Sequence, residues 1–479
     1  MKNTVVKNTV VKNTIKKVSK VVIFGVILVL FLNQMYHILS WKDTGGDYYS
    51  SMNSFYNLEK DVVDVLFLGS SRCYCSMNQA VLWEEQGIAS FALAISGQDL
   101  ASSYHCFQEA LKTQSPQVVC LELYGATFHG YAVDSNIYRN TLSYKLSRNA
   151  FSAVKSIAED KKKELLLKWP IVHTRYAELK KEDFQAKQPV YLGYHAEFET
   201  QWVEPLCKYH GTEMLPIGEE EEQWIRKIIA LAEKTDTNLV FFVAPFVSSE
   251  ENQKMYNYVQ AIAEEHDIPF LNMSKMQEKL QLDQNTDFID WAHTNYYGAK
   301  KASSYMGTYL MEKFDLPDRR GDVRYDLWYE NSKVRKHEYD NRMLLQQPDI
   351  GSYLESISGL EDYTIILTAN GNFYAEEAAP YEALSLLGME DFYEDNGLWI
   401  LQNGQVIQRT AGGDFFEHRE LKDGDLTVSS ASGISTVVID KQPYTKVENG
   451  MNIVVYDQLL SQVVDAVGFD ATNGYTMVR

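Results

Sequence analysis

Two distant segments carry residue types that can do nucleophilic chemistry together. One is Leu68-Gly69-Ser70-Ser71-Arg72; the other is Asp290-Trp291-Ala292-His293, followed by Asn295 and Gly298. A serine hydroxyl becomes a competent nucleophile when an imidazole takes its proton and a carboxylate fixes that imidazole's tautomer. Asp290 and His293 stand three residues apart, so both can face one point. Ser71, His293 and Asp290 are the candidate nucleophile, base and orienter, and the chemistry they point to is acyl transfer through serine. Each also has a plainer reading: Ser71 as a helix cap, Asp290 as a cap or turn residue, His293 as a satisfied surface histidine.

The elements that must position them follow from periodicity. Residues 63–69 (VDVLFLG) form a continuous apolar run ending in Gly, as a strand buried on both faces requires. Helix is expected over 76–86, strand over 89–96, helix over 99–113 and strand over 117–125. After a long interruption at 126–216, read as a helical insertion or lid, the rhythm resumes. Helices are expected at 218–235 and 249–266, strands at 238–245 and 268–274, and a closing helix within 287–314. Alternating strands and helices imply a doubly wound parallel α/β sheet. Ser71 then sits at the carboxyl end of the first strand, where such sheets bind ligands.

LGSSR with a late DWAHTNYYG resembles the SGNH/GDSL hydrolase superfamily over about residues 60–314. It is most similar to the membrane-anchored members related to DltD and AlgJ/AlgX. The resemblance implies Ser71 as nucleophile, with Ser70 where Asp commonly stands, and Asp290 and His293 as its partners. It also implies an oxyanion hole built from the amides of Ser71 and Gly97, the latter in AISGQD. The third block of the family, Gly-x-Asn-Asp, reads Glu122-Leu123-Tyr124-Gly125 here, so its Asn is missing. Tyr124 and Gln98 are candidates to replace it. Losing one oxyanion donor costs roughly a hundred- to a thousandfold in rate.

Other residues are weaker candidates. Cys73 and Cys75 suit small apolar packing better than a thiol nucleophile. Arg72 is placed to meet an anion, with a surface ion pair as the default. His129 and Tyr131 are read as ordinary packing, GGDFF (412–416) as a chance match to a cyclase motif, and Glu219 to Glu222 as a solvated first helical turn.

Val21 to Leu39 runs nineteen residues without a charge, behind a tail holding Lys2, Lys7, Lys12, Lys16, Lys17 and Lys20. That length approaches the hydrocarbon thickness of a bilayer, and Tyr36 and Trp41 suit an interfacial belt. The lysines before the span put the N-terminus in the cytoplasm and the bulk of the chain outside. SWKDTGGDYY after Leu39 offers no good signal-peptidase site.

The chain has 479 residues, 45 basic against 65 acidic, and a net charge of -20. The first twenty residues hold six lysines and no acid, so the remainder is more acidic still. Phosphate would be repelled, which excludes nucleic acid as partner. Five Cys cannot make a disulfide framework, and neither CxxC nor HExxH occurs. No metal or cofactor is expected.

Residues 40–59 and 315–348 read as linkers. From Asp349 short strands appear: YTIILTANG, GLWILQNGQ, STVVIDK and GMNIVVYD, with one helix near 383–388. Residues 350–479 resemble the ILEI/PANDER-type domain, which implies a compact β-sandwich-like module, carbohydrate-binding or purely structural. Together these readings describe a membrane-anchored serine esterase or O-acyltransferase acting on cell-surface glycan. The DltD and AlgJ/AlgX resemblance implies transfer, beside a multi-pass membrane acyltransferase. The alternative is a non-catalytic glycan-binding or scaffold protein with a degenerate site.

Overall fold

The structure, a computed structural model, describes residues 2–40, 51–128, 141, 144–145, 147–157, 164–165, 168–184, 192–370, 384–385, 387–389 and 397–479. It divides into two compact units, Met1–Asn331 and Ser332–Arg479.

The first unit is built on a five-stranded parallel sheet of order β2-β1-β3-β4-β5. Its strands are β1 (Val65–Gly69), β2 (Ser90–Ala94), β3 (Val118–Glu122), β4 (Asn238–Val243) and β5 (Phe270–Asn272). Period-two alternation sends Leu66, Leu68, Val119, Leu121 and Phe241 into one core. Val65, Phe67, Val118, Cys120 and Phe242 enter the other. Helices Leu100–Ala110, Glu219–Thr235 and Glu250–Glu265 cover the first face; Gln79–Gln86 and Tyr296–Lys313 cover the second. Both faces are dry, which explains the absence of polar residues from the strand interiors. In this strand order the chain reverses direction between β1 and β3, and the crevice beyond their carboxyl ends is the ligand position.

A helix over Lys2–Leu39 precedes the sheet of this unit. Its Lys16–Tyr36 stretch is long and apolar enough to cross a membrane by length and composition, as a signal sequence also would be. Arg175 Nη1 donates to the carbonyls of Leu39 and Ser40 at its end, 3.1 and 2.6 Å away.

Two expectations need correction. Among the described residues of the interruption at 126–216, helix is found over stretches such as Arg148–Ile157 but not throughout. Residues 192–216 are irregular and laid along the unit, with Ala92 N donating to Leu192 O and Gln201 N to Phe288 O. The segment 315–348 is not a bare linker: Asp326–Leu345 is a twenty-residue helix. Its buried positions are mostly polar, among them Asn331, Arg335, His337 and Asn341, so hydropathy periodicity could not reveal it.

The second unit is a β-sandwich. Strands β8 (Tyr363–Asn370), β9 (Gly397–Gln402), β10 (Gln405–Ala411), β15 (Gly450–Asp457), β16 (Gln462–Asp470) and β17 (Thr476–Val478) form one antiparallel sheet. Strands β11 (Phe415–Leu421), β12 (Gly424–Ala431), β13 (Ile434–Ile439) and β14 (Gln442–Pro443) form the other. Ile366, Ile400 and Val454 of the first sheet pack on Val428 and Val437 of the second. Helix Ile350–Ser358, which periodicity did not reveal, covers the far face with Tyr353, Leu354 and Ile357. Of the helix expected near 383–388, only Leu384 and Ser385 are described as helical.

Candidate functional site

The site begins where β1 stops. A Cβ on Gly69 would lie 2.5 Å from Glu122 Cβ and 3.0 Å from Cys73 Cβ, so the chain can turn here only as glycine. The next residue, Ser70, caps the helix Ser71–Ser76, its hydroxyl accepting from Arg72 N at 3.3 Å. The capping role is therefore Ser70's, and the Ser71 side chain is left for other work.

That work is contact with His293. Ser71 Oγ lies 2.8 Å from His293 Nε2, across 222 positions of sequence. His293 Nδ1 lies 3.0 Å from each carboxylate oxygen of Asp290. Asp290 Oδ1 also accepts from the backbone N–H groups of Ala292 and His293, at 2.7 and 2.9 Å. One carboxylate thus shapes its own turn and holds the imidazole. The turn joins β6 (Phe288–Asp290) to β7 (His293–Thr294), which pair antiparallel.

Asn295 and Gly298 secure this loop from behind. The Asn295 side chain accepts from Tyr297 N and Gly298 N and donates to the carbonyls of Glu199 and Thr286. A Cβ at Gly298 would meet Asp287 O at 2.3 Å. Thr294 Oγ1 donates to Cys75 O at 2.9 Å, tying the His strand to the nucleophile's helix.

Gly97 follows β2 in a turn closed by Gln98 N donating to Ile95 O at 3.0 Å, with φ at +64°, where glycine is at ease. Among the described residues neither its N–H nor that of Ser71 is taken by a protein acceptor. Gln98 is buried with its Nε2 donating to Leu93 O and Ser103 Oγ, so it has no donor to spare. Tyr124 N donates to Glu122 Oε1 at 2.9 Å.

Glu122, which opens the block that lacks the Asn, has a structural role of its own. It is buried, and it accepts from Ser70 N, Ser70 Oγ and Tyr124 N. Burial pushes its carboxyl up, while the Arg72 charge and these hydrogen bonds pull it down.

Arg72 also departs from expectation. It makes no surface ion pair: the residue is 7 % exposed, and among the described residues no carboxylate lies within salt-bridge distance. Its guanidinium sits 3.5 Å from the Phe246 ring centroid, 4.9 Å from that of Tyr124 and 5.9 Å from that of Trp291. Hydropathy gives no signal for such a placement, because any arginine reads as surface.

Cys73 and Cys75 are buried, and burial pushes both thiols up, which suits packing and not nucleophilic attack. His129 and Tyr131 lie outside the described residues. Glu219 to Glu222 form the first turn of their helix, and Gly412 and Gly413 lie in a turn between β10 and β11. Among the described residues no group of three or more His, Cys, Asp or Glu side chains could hold a metal ion.

No protein-family model matches the chain, and no curated protein matches it significantly. Solved structures align with it, among them two hydrolase-like ones. One, described as a candidate acylhydrolase from Bacteroides fragilis, covers 57% of this chain and 99% of its own at 12% identity and a TM-score of 0.29. The other, a GDSL-like lipase from Bacteroides thetaiotaomicron, covers 56% and 100% at the same identity and TM-score. Scores this low establish neither fold nor activity.

Proposed function

We propose that the chain is a serine esterase or O-acyltransferase working through an acyl-serine intermediate. The observation that carries this reading is the unbroken hydrogen-bonded chain Ser71–His293–Asp290 at the carboxyl end of β1. Such a chain supplies nucleophile, base and orienter in one place. Ser71 Oγ attacks an ester carbonyl and its proton passes to His293 Nε2. The tetrahedral oxyanion meets the amides of Ser71 and Gly97. Collapse expels the alcohol, which takes the proton back from His293. Water as second acceptor gives an esterase; a sugar hydroxyl gives a transferase.

The proposed setting is a cell surface. Residues 21–39 anchor the chain with the N-terminus in the cytoplasm, and polysaccharide is the substrate. The likeness to DltD and AlgJ/AlgX supports transfer beside a multi-pass membrane acyltransferase, and an ILEI/PANDER-like second unit fits a glycan-facing module. The Asn missing from the Glu122-Leu123-Tyr124-Gly125 block favours one other reading, a non-catalytic glycan-binding protein.

Treating the full chain, in detergent, with a fluorophosphonate separates the two. An adduct on wild type that Ser71→Ala loses supports the enzyme. Folded wild-type protein that forms no adduct argues for the binding protein.

A further inference from the structure

Arg72 is the charged group of this site with no role in the steps above. Its position is unusual. It follows the nucleophile directly, yet its side chain crosses from the end of β1 to the ends of β3 and β4. Tyr124 lies two residues past β3, Phe246 three residues past β4, and Trp291 inside the Asp-x-x-His turn. The guanidinium therefore stands on the β3 flank of Ser71, while Gly97 stands on the β2 flank. That is the crevice at the reversal point between β1 and β3.

Its electrostatics are equally specific. A buried cation is costly unless a negative charge meets it. The buried Glu122 carboxyl meets this charge through space, while its hydrogen bonds go to Ser70 and Tyr124 N. Phe246 covers one face of the guanidinium at 3.5 Å and fixes its plane. The Tyr256 hydroxyl interacts with one part of its fork, and the remaining N–H donors stand at the crevice of a nucleophile that generates an anion only when it reacts. Donors fixed in advance where charge develops stabilise the transition state and not the ground state. Gln98 on the β2 flank and the Tyr124 amide on the β3 flank, the other candidate donors, are committed elsewhere.

We infer that the Arg72 guanidinium is the third oxyanion donor of this site. The inference rests on the acyl-serine reading above. As the Ser71 Oγ–C bond forms, the carbonyl π pair moves onto oxygen. That oxygen then accepts from the amides of Ser71 and Gly97 and from an Arg72 N–H, while the serine proton rests on His293. On collapse the electron pair returns to the C–O bond, the alcohol leaves with the His293 proton, and Arg72 ends unchanged. A cationic donor makes the site most effective for esters whose intermediates carry a full, localised negative charge.

The experiment compares full-length wild type, Arg72→Gln and Arg72→Lys in detergent. It uses 4-nitrophenyl acetate turnover and fluorophosphonate labelling rate. The expected result is a roughly hundred- to thousandfold fall in kcat for Arg72→Gln, KM nearly unchanged, and a smaller fall for Arg72→Lys. Loss of packing alone would move thermal stability and leave the kcat-to-KM split flat. If Arg72→Gln does not fold, wild type is compared with Arg72→Lys: the hemiketal of a 13C-labelled trifluoromethyl ketone bound to Ser71 should ionise at a lower pH in wild type. Wild-type kcat in Arg72→Gln, or a hemiketal ionising at the same pH in wild type and Arg72→Lys, overturns the role of Arg72. Wild type that forms no adduct with either reagent overturns the acyl-serine reading itself.

Discussion

Glu122 Oε2 accepts two hydrogen bonds from a single residue, Ser70: one from its backbone N–H at 3.2 Å and one from its hydroxyl at 2.9 Å. The far end of β3 thereby clamps the turn that presents Ser71. With Ser70 committed to Glu122 and to the Arg72 amide, Ser71 alone reaches His293.

That clamp makes Glu122 a stability residue. Glu122→Ala leaves the Ser70 and Tyr124 amides unpaired in a buried place and should cost about 3 kcal/mol. Because burial holds its carboxyl above the usual range, the wild type is favoured most at low pH. It loses that advantage as the pH rises through the raised value. Relative to Glu122→Gln, whose side chain stays neutral, wild type should therefore lose urea stability as the pH rises through that value; a wild type that gains on the variant with rising pH refutes the assignment.

Ser71→Ala and His293→Ala should each lower ester turnover by at least about a thousandfold. Both residues are partly exposed, so thermal midpoints should stay within a few degrees of wild type. Turnover that survives Ser71→Ala would place the nucleophile elsewhere.

Asp290→Asn should cost about ten thousandfold in kcat, since the amide supports the wrong imidazole tautomer. The two backbone donors to Oδ1 keep an acceptor in this variant, so the turn should persist. A kinetic loss alongside an unchanged melting curve is the expected pair of readings.

In the second unit, His337 Nδ1 and Asn341 Nδ2 each lie 3.0 Å from the Asp457 carboxylate. Burial alone would raise this carboxyl, but His337, the Leu460 N–H and Asn341 bring it below the usual range. A depressed carboxyl contributes stability above its unfolded value and loses it as the pH falls through the folded one. The second unit should therefore weaken below about pH 4. Asp457→Ala should cost about 3 kcal/mol at neutral pH and flatten that acid limb, as read by pulse proteolysis in urea.

Cys73, Cys75, Cys106 and Cys120 are buried, while Cys207 is half-buried. Burial pushes the Cys106 thiol up to about 12. Brief iodoacetamide treatment of the native chain should label Cys207 and spare the other four. Rapid labelling of Cys73 or Cys75 would reopen a thiol mechanism.

What the sequence alone determined is whatever periodicity and local chemistry encode. Continuous apolar runs such as VDVLFLG and NLVFFVAP marked strands buried on both faces, because nothing polar survives there. The Ser71 and Asp290/His293 segments stood out because few residue types can play those roles. Tertiary structure alone decided the rest. It assigned capping to Ser70, made Glu122 a clamp on Ser70, and placed Arg72 in an aromatic cradle on the β3 flank. It also made a helix of Asp326–Leu345, whose buried stripe is polar. The physical reason is common to the last three: their partners are remote in sequence, and burying a polar or charged side chain leaves no trace in hydropathy until folding supplies those partners.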